Sequence, residues 1–179
     1  MPELIAPTVD LHTAWLAAHR EWGPGMHEDG FGLRATDRVD DPAEFAAWVA
    51  RLVEDSDPAR LVCTYRWIVD GDRVLGGIAL RHGFGDFVRH AGHIGYGIRP
   101  SARRRGLATW ALGRMLDEAR ALGMVEVLIV CEDVNTASAK TIKRHGDVLE
   151  GVRDSEYGVV RRYWISLGDH TQSADIMST

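Results

Sequence analysis

The chain has little cysteine and no long apolar run. Cys63 and Cys131 are its only cysteines, and each lies within an apolar stretch, where a free thiol packs as a small hydrophobic group. This pattern argues against a disulfide framework and favours a reducing, cytoplasmic location. No apolar stretch approaches the roughly 18 residues that a membrane span requires, and the N-terminus lacks the basic and apolar segments of a secretory signal. We therefore expect neither secretion nor membrane insertion.

Acidic residues outnumber basic residues, 26 to 21. The formal net charge is -5 at pH 7, and the only dense basic segment is the arginine triplet at 103–105. Such a chain is a poor match for nucleic acid or an anionic membrane surface. His82, His90 and His93 lie near Asp86 in the sequence, but their spacing matches none of the common zinc patterns. We therefore expect no nucleic acid, no membrane and no metal among the partners.

Residues 1–168 have the composition of one globular domain, and a polar tail follows at 169–179. Hydrophobic residues make up 45% of the chain and charged residues 26%, which is typical of a globular protein with a single core. The predicted helices cover about 10–22, 41–52, 105–122 and 135–145, and the predicted strands about 61–69, 74–80, 93–99, 125–131, 148–153 and 159–167. This order indicates a mixed α/β fold.

The segment 98–108 is the most informative part of the sequence, because a strand ends there and the most regular helix begins. The first backbone N–H groups of a helix are unsatisfied and attract anions. Gly106 lets a ligand approach the backbone, and the arginines at 103–105 add charge-assisted hydrogen bonds. Together they suit a pyrophosphate, although the triplet could instead be a solvated surface run. Neither a P-loop nor a three-glycine dinucleotide fingerprint is present.

This segment resembles the Arg/Gln-x-x-Gly-x-Gly/Ala signature of the GNAT superfamily of N-acetyltransferases, with Arg103, Gly106 and Ala108 at the signature positions. The order of strand, signature, long helix, buried strand and Asn-led helix between about 93 and 146 is similar too. The resemblance implies a mostly antiparallel central sheet of six to seven strands flanked by about four helices. It also implies that residues 1–60 shape the acceptor pocket and residues 61–167 bind coenzyme A.

The resemblance further implies which residues hold acetyl-CoA. Backbone amides of about 104–109 would hold the pyrophosphate, the arginines would support it, and two residues at the end of the strand would pair through their backbone with the pantetheine arm. Asn135 and Ser138 would face the cofactor, although Asn135 could equally cap a helix. The implied cofactor-binding residues are Ile98, Arg99, Arg103, Arg104, Arg105, Gly106, Leu107, Ala108, Thr109, Asn135 and Ser138.

Acetyl transfer also needs a group that accepts the amine proton and a group that stabilises the departing thiolate. Many GNAT enzymes use a Tyr on the last helix as the acid, but the matching position here is Ile142. The candidates for catalysis are His93, Tyr96 and Glu132. A strand histidine is often structural, Tyr96 could be a core aromatic residue, and Glu132 could belong to a polar loop.

The resemblance implies an enzyme that transfers acetyl from acetyl-CoA directly to a primary amine of a small molecule. Acetylation of a protein lysine or N-terminus, or a noncatalytic acyl-CoA-binding sensor, are the alternatives. Acidic residues near the N-terminal helix, among them Glu28 and Asp29 beside His27, would suit a cationic amine but could also be solvated surface. Many relatives dimerise, so we expect a homodimer; the last strand, around Tyr163, could pair across it or complete the monomer's own sheet.

Overall fold

The computed structural model describes residues 1–24, 29–156 and 158–168, so the predicted tail at 169–179 and the residues His27 and Glu28 lie outside the described residues. The described ranges contain seven strands and five α-helices. The strands are β1 (Glu3–Ile5), β2 (Cys63–Asp70), β3 (Arg73–Arg81), β4 (Ile94–Ile98), β5 (Glu126–Glu132), β6 (Asp147–Ser155) and β7 (Gly158–Ser166). The helices are α1 (His12–Trp22), α2 (Pro42–Asp55), α3 (Asp86–Ala91), α4 (Leu107–Ala121) and α5 (Thr136–Lys143).

The strands form two antiparallel sheets, ordered β1-β2-β3-β4 and β5-β7-β6. The mixed α/β fold with antiparallel pairing is therefore confirmed, and each of the six strands and four helices predicted from the sequence is present. The structure adds β1 and α3, which are too short to produce a periodic pattern. β7 lies between β5 and β6, so the last strand completes the monomer's own sheet, and Tyr163 is fully buried there.

The two sheets meet where β4 begins. The N–H of His93 donates to the carbonyl oxygen of Leu128 at 2.7 Å, and Gly92 forms a bridge with Ile129. Within the described residues β4 pairs only with β3, and β5 pairs only with β7, so no backbone ladder joins β4 to β5 beyond this point. The two strands consequently diverge toward the start of α4, and the space between them is the gap between β4 and β5.

Two apolar clusters fix the elements on either side of the first sheet. One packs α4 against β3, β4 and β5 and includes Leu112, Met115 and Ile129. The other packs α1 and α2 against the opposite face and is built from Trp15, Trp48 and other aromatic residues. Both of these tryptophans are at most 2% exposed, so they form core and not an open pocket. No helix within the described ranges is long and apolar enough to cross a membrane.

Candidate active site

The N-terminus of α4 presents backbone donors without a side-chain cap. The helix follows Gly106, which has φ of 77° and no side chain to cap the first amides. The N–H of Trp110 donates to the carbonyl of Gly106 at 3.0 Å, which is the first hydrogen bond of the helix. The N–H groups of Leu107, Ala108 and Thr109 therefore have no acceptor within the helix. These amides and the helix dipole form a site that fits an anion such as a pyrophosphate.

The three arginines before this helix are exposed around the same turn. Arg103 donates from Nε to the carbonyl of Ile98 at 2.9 Å, so its guanidinium lies at the end of β4. Arg104 has φ of 63°, which reverses the chain before Gly106. A Cβ added to Gly106 would meet no atom of the described residues within 4 Å. The turn is therefore open to a ligand and lined by positive charge.

The backbone of β4 turns alternate residues toward the gap. Arg99 donates its N–H to Leu75 at 2.8 Å, and the carbonyl of His93 accepts from Arg81 at 2.7 Å, both on β3. Alternation along the strand therefore directs the backbone groups of Tyr96 and Ile98 away from β3 and toward β5. The N–H of Ile98 faces the direction that the expected pairing with pantetheine requires, whereas its carbonyl oxygen already accepts from Nε of Arg103. For Arg99, the hydrogen bond from its N–H to Leu75 argues against pairing of this group with pantetheine.

The side chain of Arg99 does not face the gap between β4 and β5, because Arg99 is 7% exposed and forms an ion pair with Glu21 of α1. The Glu21 carboxylate accepts from Nε of Arg99 at 3.0 Å and from both N–H and hydroxyl of Ser101 at 3.0 Å. The hydrogen bond from Arg99 is the main cause that lowers the pKa of Glu21 to about 2. Glu21 thus ties α1 to the turn that precedes α4, a role that no local sequence pattern indicated.

A pair of hydroxyls extends from β4 to α5. The Tyr96 hydroxyl oxygen lies 2.7 Å from Oγ of Ser138, and burial raises the pKa of Tyr96 to about 12. Ser138 also lies beside Cys131 of β5, whose pKa is raised by burial. Asn135 caps α5, with its side-chain oxygen accepting from the N–H of Ser138 at 3.0 Å. The structure therefore brings Tyr96 and Ser138 together and gives Asn135 a capping role.

Ile142 is fully buried in the core, so this position contributes packing and no acid. Glu132 is an exposed residue at the end of β5, and its carbonyl accepts from the N–H of Asn135 at 2.9 Å. The adjacent Asp133 forms an ion pair with Arg161 at 2.6 Å. Of the two neighbouring carboxylates, Glu132 is the one without a salt bridge among the described residues.

His93 is held in the junction between the two sheets. Its side chain is 5% exposed, and Nδ1 accepts a hydrogen bond from the N–H of Leu128 at 2.8 Å. Burial is the main cause that lowers its pKa, and the backbone of Gly83 is a further hydrogen-bond partner. These contacts argue against the hypothesis that His93 is the base, because its ring is enclosed and the Nδ1 lone pair accepts from Leu128. Among the described residues no group of three or more His, Cys, Asp or Glu side chains could hold a metal ion.

Three solved structures of acetyltransferases align with nearly the whole chain. The ribosomal-protein-S5-alanine acetyltransferase from Vibrio fischeri is 18% identical with a TM-score of 0.71, covering 94% of this chain and 93% of the other. The Salmonella typhimurium acetyltransferase that modifies the N-terminal serine of the 50S ribosomal subunit protein L7/L12 is 17% identical with a TM-score of 0.68, covering 92% and 94%. The microcin C7 self immunity acetyltransferase MccE, in complex with acetyl-CoA and AMP, is 16% identical with a TM-score of 0.68, covering 92% of each chain.

At these identities the structural likeness concerns the fold. Comparison with curated protein sequences gives no match. The sequence profile described as acetyltransferase (GNAT) domain matches residues 32–147, which is more than half of the 179 residues. The chain therefore belongs to the GNAT acetyltransferases, a family of acyltransferases that take their acetyl group from acetyl-CoA.

Proposed function

We propose that this acetyltransferase transfers the acetyl group directly to a primary amine of a small molecule, within a ternary complex. The observation that supports acetyl transfer from acetyl-CoA is a set of three features: the uncapped N-terminus of α4, the gap between β4 and β5, and the hydroxyl pair of Tyr96 and Ser138 that extends across it. Anion binding, an extended slot and a proton donor are the three requirements of thioester chemistry with coenzyme A.

The residues present fit acetyl-CoA. The amides of Leu107, Ala108 and Thr109 would hold the pyrophosphate, and the arginines at 103–105 would neutralise it. The backbone groups of Tyr96 and the N–H of Ile98 would bind the pantetheine arm at the edge of β4. When bound, acetyl-CoA supplies a thioester whose carbonyl carbon is open to attack by an uncharged amine.

The hydroxyls of Tyr96 and Ser138 would stabilise the sulfur as it departs. A phenol with a pKa of about 12 keeps its proton at neutral pH, so Tyr96 serves as a hydrogen-bond donor and not as a base. One hydroxyl donates to the other, so the remaining proton of the pair would donate to the developing negative charge and lower the barrier to thiolate departure. Glu132, an exposed carboxylate at the end of β5, is the proposed acceptor of the amine proton, through water.

A second candidate acceptor is the N-terminal amine of a protein. The printed names of two structures with this fold, from Vibrio fischeri and Salmonella typhimurium, describe acetylation of ribosomal proteins. The name of MccE describes self immunity to microcin C7, which is a different role on the same fold. The fold therefore does not determine the acceptor class, and the choice rests on an activity measurement.

The test is release of free thiol from acetyl-CoA by the purified protein with small primary amines and with peptides that carry a free N-terminus. Gly106→Glu is the disabled variant, because a carboxylate there repels the pyrophosphate. Gly123→Glu is its matched control: Gly123 also has positive φ, also has open space around a Cβ, and lies just beyond the other end of α4. We expect Gly106→Glu to lose acetyl-CoA binding in calorimetry, and Gly123→Glu to retain it.

Each outcome separates the candidates. Release with small amines supports the proposal, and release with peptides alone supports the second candidate. Tight acetyl-CoA binding with no release for any amine would support a sensor and contradict catalysis. Equal binding by both variants would contradict the assignment of the pyrophosphate to the N-terminus of α4.

A further inference from the structure

The carboxylate of Asp29 lies directly on β4. A Cβ built on Gly95 would be 2.4 Å from Oδ1 of Asp29 and 2.6 Å from Oδ2, and a Cβ on Gly97 would be 2.8 Å from the carbonyl oxygen of Asp29. Real Cβ atoms do not approach oxygen so closely, so only glycine allows the segment at Asp29 to lie here. The Asp29 carboxylate therefore occupies the space in which a side chain of β4 would otherwise stand.

The carboxylate is held in position from one side. Oδ1 accepts from the N–H of Gly30 at 2.8 Å and from Nη2 of Arg81 at 3.2 Å. Arg81 is itself fixed, because Nη1 donates to the carbonyl of Gly92 at 3.2 Å and its guanidinium lies 5.0 Å from the centre of the Phe87 ring. The Asp29 side chain is 60% exposed, and among the described residues Oδ2 accepts no hydrogen bond. Oδ1 is thus fixed by two hydrogen bonds, and Oδ2 can accept a hydrogen bond from a ligand.

The Asp29 carboxylate and the hydroxyl pair of Tyr96 and Ser138 lie at neighbouring positions of β4. Gly95 precedes Tyr96, and successive positions of a strand point to opposite faces. The Asp29 carboxylate and the Tyr96 hydroxyl therefore flank the same stretch of β4 from opposite faces. Tyr96 reaches Ser138 on the side of α5, whereas Asp29 lies on the side of the N-terminal segment between α1 and α2.

We infer that Asp29 binds the ammonium group of the acceptor and selects amines that carry a positive charge in solution. An ammonium forms short, charge-assisted hydrogen bonds with a carboxylate, and an oxygen fixed beside β4 would orient the nitrogen toward a thioester bound along that strand. The ammonium would then lose one proton, through water, to Glu132, and the freed lone pair would attack the thioester carbonyl as the sulfur departs. This inference rests on the proposed function and narrows its acceptor to a cationic amine.

The test compares two acceptors in thiol release at pH 7.5: a strongly basic alkylamine, which is cationic, and a weakly basic aromatic amine, which is neutral. Asp29→Asn should lower kcat/KM for the alkylamine by about 10- to 100-fold, the effect of losing a charged hydrogen bond. It should leave kcat/KM for the aromatic amine and acetyl-CoA binding unchanged. Asp37→Asn is the matched control, because Asp37 lies in the same connection between α1 and α2 and also pairs with an arginine, Arg51.

Gly95→Ala provides a second variant that keeps the charge but displaces the carboxylate, and it should cause the same selective loss. A wild-type protein without turnover for any amine would contradict the proposed function, whatever the role of Asp29. With an active wild type, an alkylamine kcat/KM within twofold of wild type in both Asp29→Asn and Gly95→Ala would overturn the inference. An equal loss for both amines would also overturn it, because that pattern belongs to a structural role.

Discussion

The hydroxyl oxygens of Tyr96 and Ser138, 2.7 Å apart, join the strand at the edge of one sheet to the helix that follows the nearest strand of the other. Because β4 and β5 lack a backbone ladder beyond His93 in the described part of the chain, this contact is made by side chains across the gap. The family position for a tyrosine on α5 holds Ile142, which is fully buried. A phenol from β4 thus reaches α5 from the opposite side of the gap.

The first prediction concerns this hydroxyl pair. Tyr96→Phe and Ser138→Ala should each lower kcat by about 10- to 100-fold while the Kd for acetyl-CoA stays the same, since a donor to the departing sulfur acts only in the transition state. The double variant should be no slower than about the slower single variant, because the two hydroxyls act as a unit. Steady-state thiol release and calorimetry provide the two measurements.

Tyr65→Phe is the control, because it removes a phenol hydroxyl from β2, away from α5. We expect it to retain the wild-type kcat. A kcat within twofold of wild type in both Tyr96→Phe and Ser138→Ala would contradict a role for the pair in catalysis.

Local signals in the sequence predicted most of the fold. Asp41 caps α2 through hydrogen bonds to Ala43 and Glu44, Gly71 lies in the β2–β3 turn, and α4 begins directly after Gly106. Each of these features depends on residues within about one turn of chain, which is the range over which capping and turn chemistry act. The turn that we propose to bind the pyrophosphate could therefore be located from the sequence.

The pairings between residues far apart in the sequence could not be predicted. Glu21 binds Arg99 and Asp29 binds Arg81 across 78 and 52 residues, and no periodicity relates such positions. His93 looked like a base from its chemistry alone, because the sequence does not show that Leu128 would donate to its ring. Sequence patterns report the face of an element, whereas the partner of a buried polar group depends on how the elements pack.

The second prediction follows from the pairing of Glu21. Arg99 lowers the pKa of Glu21 to about 2, against about 4.3 in an unfolded chain. The stability that this carboxylate contributes is therefore complete above about pH 4.3 and is lost as the pH falls from there toward 2. Glu21→Gln should lower the free energy of unfolding at pH 7 by about 2 kcal/mol, measured by urea denaturation. It should also weaken acetyl-CoA binding, because Ser101 loses one of its two carboxylate acceptors next to the arginine turn that precedes α4.

Glu54→Gln is the comparison variant, since Glu54 forms an exposed ion pair with Arg60. Exposed pairs contribute less than about 1 kcal/mol, so its unfolding free energy should stay close to wild type. Equal effects of the two substitutions would show that the Glu21 contact contributes no more than a surface pair.

The third prediction concerns the junction at His93. Burial lowers the pKa of His93, with a smaller contribution from Arg81 and His82, so the folded protein binds a proton here less readily than the unfolded chain. The unfolded chain takes up its proton below about pH 6.5, and stability should therefore fall as the pH drops through this value. His93→Asn keeps an oxygen that can accept from Leu128 but does not titrate. Its Tm should vary less between pH 7.5 and pH 5 than that of wild type.

Two further substitutions make this result specific to the junction. His90→Asn changes an exposed histidine outside the junction and serves as the comparison variant over the same pH range. The pKa of His82 is also lowered by burial, so His93→Asn should retain the part of the pH dependence that His82 causes. His93→Ala should be less stable than His93→Asn at pH 7.5, because the N–H of Leu128 would then be buried without an acceptor. If His93→Asn and wild type lose the same Tm on acidification, His93 does not control the acid sensitivity of the junction.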